Sequence, residues 1–135
     1  MKGIFITFEG VEGSGKTTQI DLLASALEAE GLQVVKTQEP GGTKIGAMIR
    51  KILLDPKNKE IGSMTELMLY GANRAQHIKE VILPAIREGR IVLCDRFSDS
   101  TIAYQGYGRA LSLEIIEKLD IFATEGLKPS LTILL

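Results

Sequence analysis

An apolar run from Ile4 to Phe8 leads into Gly10-Val11-Glu12-Gly13-Ser14-Gly15-Lys16-Thr17, and a helical pattern follows at once. The order strand, G-x-x-x-x-G-K-[ST], helix is demanding. Its glycines let the loop wrap until the backbone N–H groups point inward at phosphate oxygens. The helix N-terminus adds its dipole to the same spot. In such a cradle Lys16 reaches the terminal phosphates, and the Thr17 hydroxyl binds the Mg²⁺ that bridges them. A dinucleotide site is the nearest rival, because Gly13 and Gly15 begin G-x-G-x-x-G and Glu39 lies past a second strand. Thr18, however, stands where the third glycine is required, and Lys16-Thr17 has no task in that motif.

The remainder of the chain suits the same architecture. Short apolar runs alternate with helical patterns, the signature of a parallel sheet flanked by helices. Strands are expected at Ile4–Phe8, Gln33–Thr37, Ile91–Asp95 and Leu131–Leu135. The first helix, Lys16–Glu30, offers Ile20, Leu22, Leu23, Ala26 and Leu27 as its apolar side and stops at Gly31. A second covers Lys44–Leu54 and is closed by Asp55-Pro56. Ser63 and Glu66 fit a capping box, so a long helix should begin there, bend at Pro84 and end at Gly89. A further helix covers Ser112–Thr124. Ile91–Asp95 reads as buried on both faces. The 135 residues are one domain's worth, with no repeat or linker.

Charge and cysteine content narrow the function classes. A net charge of −1 argues against nucleic-acid and acidic-membrane surfaces. No leader pattern or membrane-length apolar run is present, and the single cysteine, Cys94, permits no internal disulfide. A cytoplasmic protein is expected. The apolar, strand-like run at Leu131–Leu135 would form a sticky edge, so a longer protein is expected.

Asp95 closes the third strand, where an acid can hold Mg²⁺ directly or through water, and Arg96 follows it. Ligands of open parallel sheets bind at the carboxyl ends of the strands. Two glycine-rich segments should reach that edge, and turn chemistry alone explains their glycines: Gln38-Glu39-Pro40-Gly41-Gly42-Thr43 and Tyr104-Gln105-Gly106-Tyr107-Gly108. Tyr70 at helical spacing would ordinarily be core, and Arg50 and Arg74 would ordinarily lie in solvent. His77 reads as structural or solvent-facing, and Arg109 as a solvent or nucleotide-edge residue.

Taken together, F-E-G-V-E-G-S-G-K-T-T, Q-E-P-G-G-T, L-M-L-Y-G-A-N-R, D-R-F and S-T-I-A-Y-Q-G-Y-G-R resemble the thymidylate kinases of bacterial type, in order and spacing across the whole chain. The resemblance implies a P-loop NTPase three-layer fold, a homodimer, and transfer of the ATP γ-phosphate to dTMP for dTTP synthesis. It implies that Gly10, Val11, Glu12, Gly13, Ser14, Gly15, Lys16, Thr17 and Thr18 hold ATP, with Thr17 and Asp95 on Mg²⁺. Glu39, Pro40, Arg50, Tyr70, Arg74, Arg96, Thr101, Tyr104 and Gln105 would hold dTMP. Within that set Tyr70 would stack on the base and Arg74 bond to it. Thr101 and Gln105 would face its edge, and Tyr104 would crowd a 2′-hydroxyl. Arg50 and Arg96 would take the acceptor phosphate. Lys16, Asp95, Arg96 and Glu12 would be the catalytic group, with Glu12 on the 3′-hydroxyl or arranging Mg²⁺.

Gln38 stands where many relatives carry arginine, and Gly13 where some carry a catalytic one. Bacterial members supply that arginine from a lid after the fourth strand, which would lie beyond Leu135 with the last strand and helix. The competing readings are a kinase of another nucleoside monophosphate or of a deoxynucleoside, and a nucleotide-binding fragment without turnover.

Overall fold

The structure, a computed structural model, describes residues 2–135. In chain order it contains β1 (Ile4–Glu9), α1 (Lys16–Ala29), β2 (Val34–Gln38), α2 (Lys44–Leu54), α3 (Ser63–His77), α4 (Leu83–Arg87), β3 (Ile91–Asp95), α5 (Ser98–Thr101), α6 (Leu113–Thr124) and β4 (Leu131–Leu134). The sheet is parallel throughout, in the order β2-β3-β1-β4. Gln38 pairs with Asp95, and Asp95 with Phe8. That register brings the loops after β1, β2 and β3 to one edge. The fold is the P-loop NTPase type expected. Among the described residues no helix is long and apolar enough to cross a membrane.

The alternation of side chains along β3 explains its unbroken apolar run. Val92 and Cys94 enter one cluster with Phe5, Ile78, Ile82, Ala85 and Phe97. Ile91 and Leu93 enter the opposite cluster with Phe8, Ile20 and Ala24. The sheet is therefore covered on both faces. Each large side chain fully buried there contributes about 1.5–3 kcal/mol. Phe97 meets Phe5 edge-to-face, with ring centroids 5.0 Å apart, and so ties the segment after β3 to the core.

Four details differ from expectation. In α1, Leu22 and Ala26 face solvent, and Ala24 is buried with Ile20 instead. The capping box at Ser63 does not form. Gly62 is the N-cap, no side-chain cap bond is made, and Glu66 bonds across space to Gln105 and Arg109. The long helix departs from α geometry before Pro84, in a π-helical turn over Ile78–Ile82, where Leu83 N–H donates to the Ile78 carbonyl. Pro84 has no N–H to offer the carbonyl four residues earlier, and the wider turn adjusts the ladder ahead of it. Finally, Tyr104–Gly108 is not a glycine-rich turn. α5 runs on as a π-helical turn over Ile102–Tyr107. Gly106 sits buried against α6, where a Cβ would stand 2.7 Å from Leu113 Cδ2. The glycine serves close packing here.

Candidate functional site

The loop after β1 is held open by glycines at Gly13 and Gly15, with φ of 76° and 94°, a region that L side chains rarely adopt. Lys16 opens α1 and is buried, and its Nζ donates to the carbonyls of Gly10 (3.1 Å) and Val11 (3.0 Å). An ammonium has three N–H donors, so one remains for a phosphate oxygen. Thr17 and Thr18 are exposed on the first turn beside it. Glu12, Gly13, Gly15, Lys16, Thr17 and Thr18 line one end of a cleft of ≈ 590 Å³, within the ordinary size of ligand sites. Gln38, Glu39, Pro40, Arg50, Leu54, Tyr70, Asp95 and Arg96 line the rest.

A narrow slot of ≈ 20 Å³ continues from that cleft between Tyr70, Arg74, Thr101, Tyr104 and Gln105. Glu39, Pro40, Tyr70 and Arg96 line both spaces. The sequence-predicted acceptor residues are thus brought together. Gly10, Val11 and Ser14 are the cradle residues not on the cleft wall; the Gly10 and Val11 carbonyls instead hold Lys16. Ser14 Oγ is buried without a partner, a hydroxyl at the cradle still able to donate.

Arg96 has a positive φ of 69° although it is not glycine. Strained backbone of this kind persists where the surroundings over-determine it. Here Arg96 N–H donates to the Phe8 carbonyl at 2.9 Å, and the Cys94 thiol donates to the Arg96 carbonyl at 3.1 Å. The guanidinium lies 5.3 Å from the Tyr104 ring centroid, a cation–π contact. Arg50 donates to the Pro40 carbonyl at 2.7 Å. Among the described residues neither Arg50 nor Arg96 is paired with a carboxylate.

Arg74 is different. Its side chain is 3% exposed. Nε and Nη2 both lie 2.8 Å from Glu39 Oε2, Nη1 donates to Asp120 at 2.9 Å, and Nη2 donates to Thr101 at 3.1 Å. Burial works against its charge, but Glu39 and Asp120 outweigh that and hold the guanidinium above its usual pKa. Gln105 is buried and donates to Glu66. Arg109 bonds to Glu66 at 2.9 Å and to the Ile61 carbonyl, which lowers the Glu66 pKa. Burial raises the Tyr70 phenol and pushes the Cys94 thiol well up, which makes Cys94 a buried filler.

Several partners were not visible in the sequence. Asp120 joins α6 to Arg74 and Ser98. Glu9 accepts from Phe97 N–H and from Ser100, and so secures the start of α5. His77 is fully buried between Glu39 and Thr37, which rules out the solvent-facing alternative. Only the FEG triplet holding Glu9 carried a signal, and it was absorbed by the neighbouring cradle.

Among the described residues no group of three or more His, Cys, Asp or Glu could hold a metal ion. Thr17 and Asp95 nonetheless both line the cleft, and Asp95 Oδ1 is buried without a partner. Two protein oxygens completed by phosphate oxygens and water is the usual provision for Mg²⁺, so the donor set fits that ion.

The family model described as Thymidylate kinase matches residues 8–135. A thymidylate kinase of Pelobacter propionicus is 59% identical over 133 residues, covering 98% of this chain and 61% of the relative. One of Pelotomaculum thermopropionicum is 56% identical over 135 residues, covering 100% and 62%. The crystal structure of thymidylate kinase from Ehrlichia chaffeensis superposes with a TM-score of 0.90 at 41% identity, covering 99% of this chain and 71% of that one. The chain thus spans about three-fifths of the length of these curated relatives.

Proposed function

The chain belongs to the thymidylate kinase family, and from that premise we propose that it serves transfer of the ATP γ-phosphate to dTMP, giving ADP and dTDP for dTTP synthesis. The observation that carries the proposal is the continuity of the cleft. A phosphate cradle at one end joins, through Arg50 and Arg96, a slot lined by Tyr70, Arg74 and Gln105 at the other. A nucleotide switch without an acceptor would have no use for the second half.

In this reading Lys16 and the loop N–H groups hold the donor phosphates. Thr17 and Asp95 would hold Mg²⁺, which would supply charge neutralisation for the donor phosphates. Arg50 and Arg96 draw in the acceptor phosphate. Two unit charges 4 Å apart repel by about 4 kcal/mol at an effective dielectric of 20, so unpaired arginines between the two polyanions are a requirement. Glu12, exposed on the cradle loop, reaches the sugar 3′-hydroxyl or orders the ion. The base enters the slot from the cleft, with Tyr70 as its stacking face and Arg74, Thr101 and Gln105 at its edge. Tyr104 also lines the slot, where it would crowd a 2′-hydroxyl. No general base is required, because a phosphate monoester is largely dianionic at neutral pH, its second pKa being about 6. The one histidine is buried behind Glu39 and does not line the cleft, in keeping with that.

A cytoplasmic setting and a homodimer accompany this reading. The single buried cysteine suits the first. Exposed Met48, Ile52 and Met68 on α2 and α3 suit the second.

Calorimetric titration with dTMP, with AMP and thymidine as controls, tests the acceptor assignment. Selective dTMP binding is expected. Tyr70→Ala should weaken it by about tenfold or more, the worth of one stacked base, and leave ATP binding intact. A folded chain that binds ATP but not dTMP would overturn the proposal.

A further inference from the structure

We propose that His77 is a positioning residue for the acceptor slot, acting on Arg74 through the Glu39 carboxylate. The inference rests on the proposed function and adds to it a residue that touches neither nucleotide. His77 ends α3 and is wholly buried. Its Nδ1 lies 2.9 Å from Glu39 Oε1, and its Nε2 lies 2.6 Å from Thr37 Oγ1. A carboxylate only accepts, so Nδ1 carries a proton and donates it to Glu39, while Nε2 and the threonine hydroxyl share the second bond. The ring therefore clamps two side chains on the same side of one strand end, Thr37 and Glu39, two residues apart.

The other Glu39 oxygen is the one that holds Arg74. Rotation of the carboxylate would release both partners together, so the imidazole sets the plane in which Glu39 meets the guanidinium. Of the five guanidinium N–H groups, one donates to Glu39 from Nε, one to Asp120 from Nη1 and one to Thr101 from Nη2, which also lies 2.8 Å from Glu39 Oε2. The second N–H on Nη1 makes none of these bonds, and its direction depends on how the rest of the guanidinium is held. The loop following Glu39 is fastened by the same helix. Asn73, one turn before His77, accepts from Gly41 N–H at 2.9 Å. Gly42 lies so close to the imidazole that a Cβ there would stand 2.6 Å from Nε2. Bulk alone does not explain the ring, since a buried ionic relay is commonly no more stable than apolar residues of similar volume.

Two variants separate the ring's two bonds. In His77→Asn the amide nitrogen stands near the position of Nδ1 and can serve Glu39. In His77→Gln it stands near Nε2 and can serve only Thr37. Two readouts are taken on the full chain: the Arg74 Nε–Hε cross-peak by ¹⁵N NMR, and dTMP affinity by calorimetry, with ATP affinity and melting temperature alongside. His77→Gln should displace the Arg74 cross-peak and weaken dTMP binding by about tenfold or more, the loss expected when a charge-assisted bond is broken. His77→Asn should restore both toward wild type, and ATP affinity should be equal in the three proteins. An undisplaced Arg74 signal in His77→Gln overturns the inference. So does a parallel loss of dTMP and ATP binding that follows melting temperature in both variants. If the wild-type chain binds ATP but not dTMP, the proposed function falls, and the Arg74 signal alone still decides whether His77 sets the guanidinium.

Discussion

Glu39→Gln removes one charge from a buried pair and leaves its shape. Glu39 and Arg74 are 2% and 3% exposed, so the guanidinium left behind is poorly solvated. Breaking a buried ion pair by removing one partner costs about 3–5 kcal/mol, mostly the penalty of the stranded charge. Asp120 remains 2.9 Å from Nη1, but its side chain is 25% exposed, so its compensation is partial. The expected loss is therefore at the lower end, about 3 kcal/mol. For a chain of this length that corresponds to a fall of about 10 °C in melting temperature. Urea titration followed by circular dichroism measures it, with an unchanged slope confirming that the denatured state is the same. The double variant Glu39→Gln, Arg74→Met should lose less than the sum of the two single variants, by about 1.5 kcal/mol or more. A loss below about 1 kcal/mol in Glu39→Gln, or strict additivity, would refute the view that Arg74 depends on Glu39 for its place in the core.

Two further outcomes follow from buried groups. Burial raises the Glu9 carboxyl above its usual value of 4.5, against the lowering effect of its bonds from Ser100 and Phe97. The folded chain therefore keeps a proton that the unfolded chain has already released above pH 4.5. This group's contribution makes stability fall as pH rises from there through the folded pKa. Glu9→Gln should flatten the dependence of urea midpoint on pH in that window, and an unchanged slope would refute the assignment. Gly42→Ala combines a φ of +83° with a Cβ 2.6 Å from His77 Nε2 and 2.8 Å from Thr37 Oγ1. A cost of about 2–4 kcal/mol is expected by denaturation, and one below about 0.5 kcal/mol would mean that the ring moves freely.

The cradle and the sheet were legible because their signals are local. G-x-x-x-x-G-K-T fixes its own backbone, and the apolar run Ile91–Cys94 already states that two faces must be covered. The wiring behind the slot was not legible, for a physical reason. Arg74 meets Thr101, Glu39 and Asp120 across 27, 35 and 46 residues of sequence, and no periodicity records such contacts. Ser63 and Glu66 showed the opposite failure. Their spacing suits a cap, yet Glu66 is drawn to Arg109, 43 residues away, whose charge is a stronger partner than a backbone N–H. Gly106 and Gly108 suggested a turn because glycine is a poor helix former. What decides Gly106 is the space beside Leu113, which belongs to the tertiary structure.

The partners of the arginines divide the cleft by charge. Arg74 has two carboxylates against it, so its charge is cancelled at the slot and it offers only direction. A compensated guanidinium suits a neutral ring, where a bare positive charge would gain nothing from the base and would attract a misplaced phosphate. Arg50 rests on a carbonyl and Arg96 on the Tyr104 ring. Neither contact removes charge, so both stay available to a dianion. The Lys16 ammonium, held by carbonyls alone, is in the same condition. Cationic groups thus lie where phosphates would meet, and a neutralised one lies where a base would dock. That gradient would orient a nucleoside monophosphate with its phosphate toward the cradle before any hydrogen bond to the base is made.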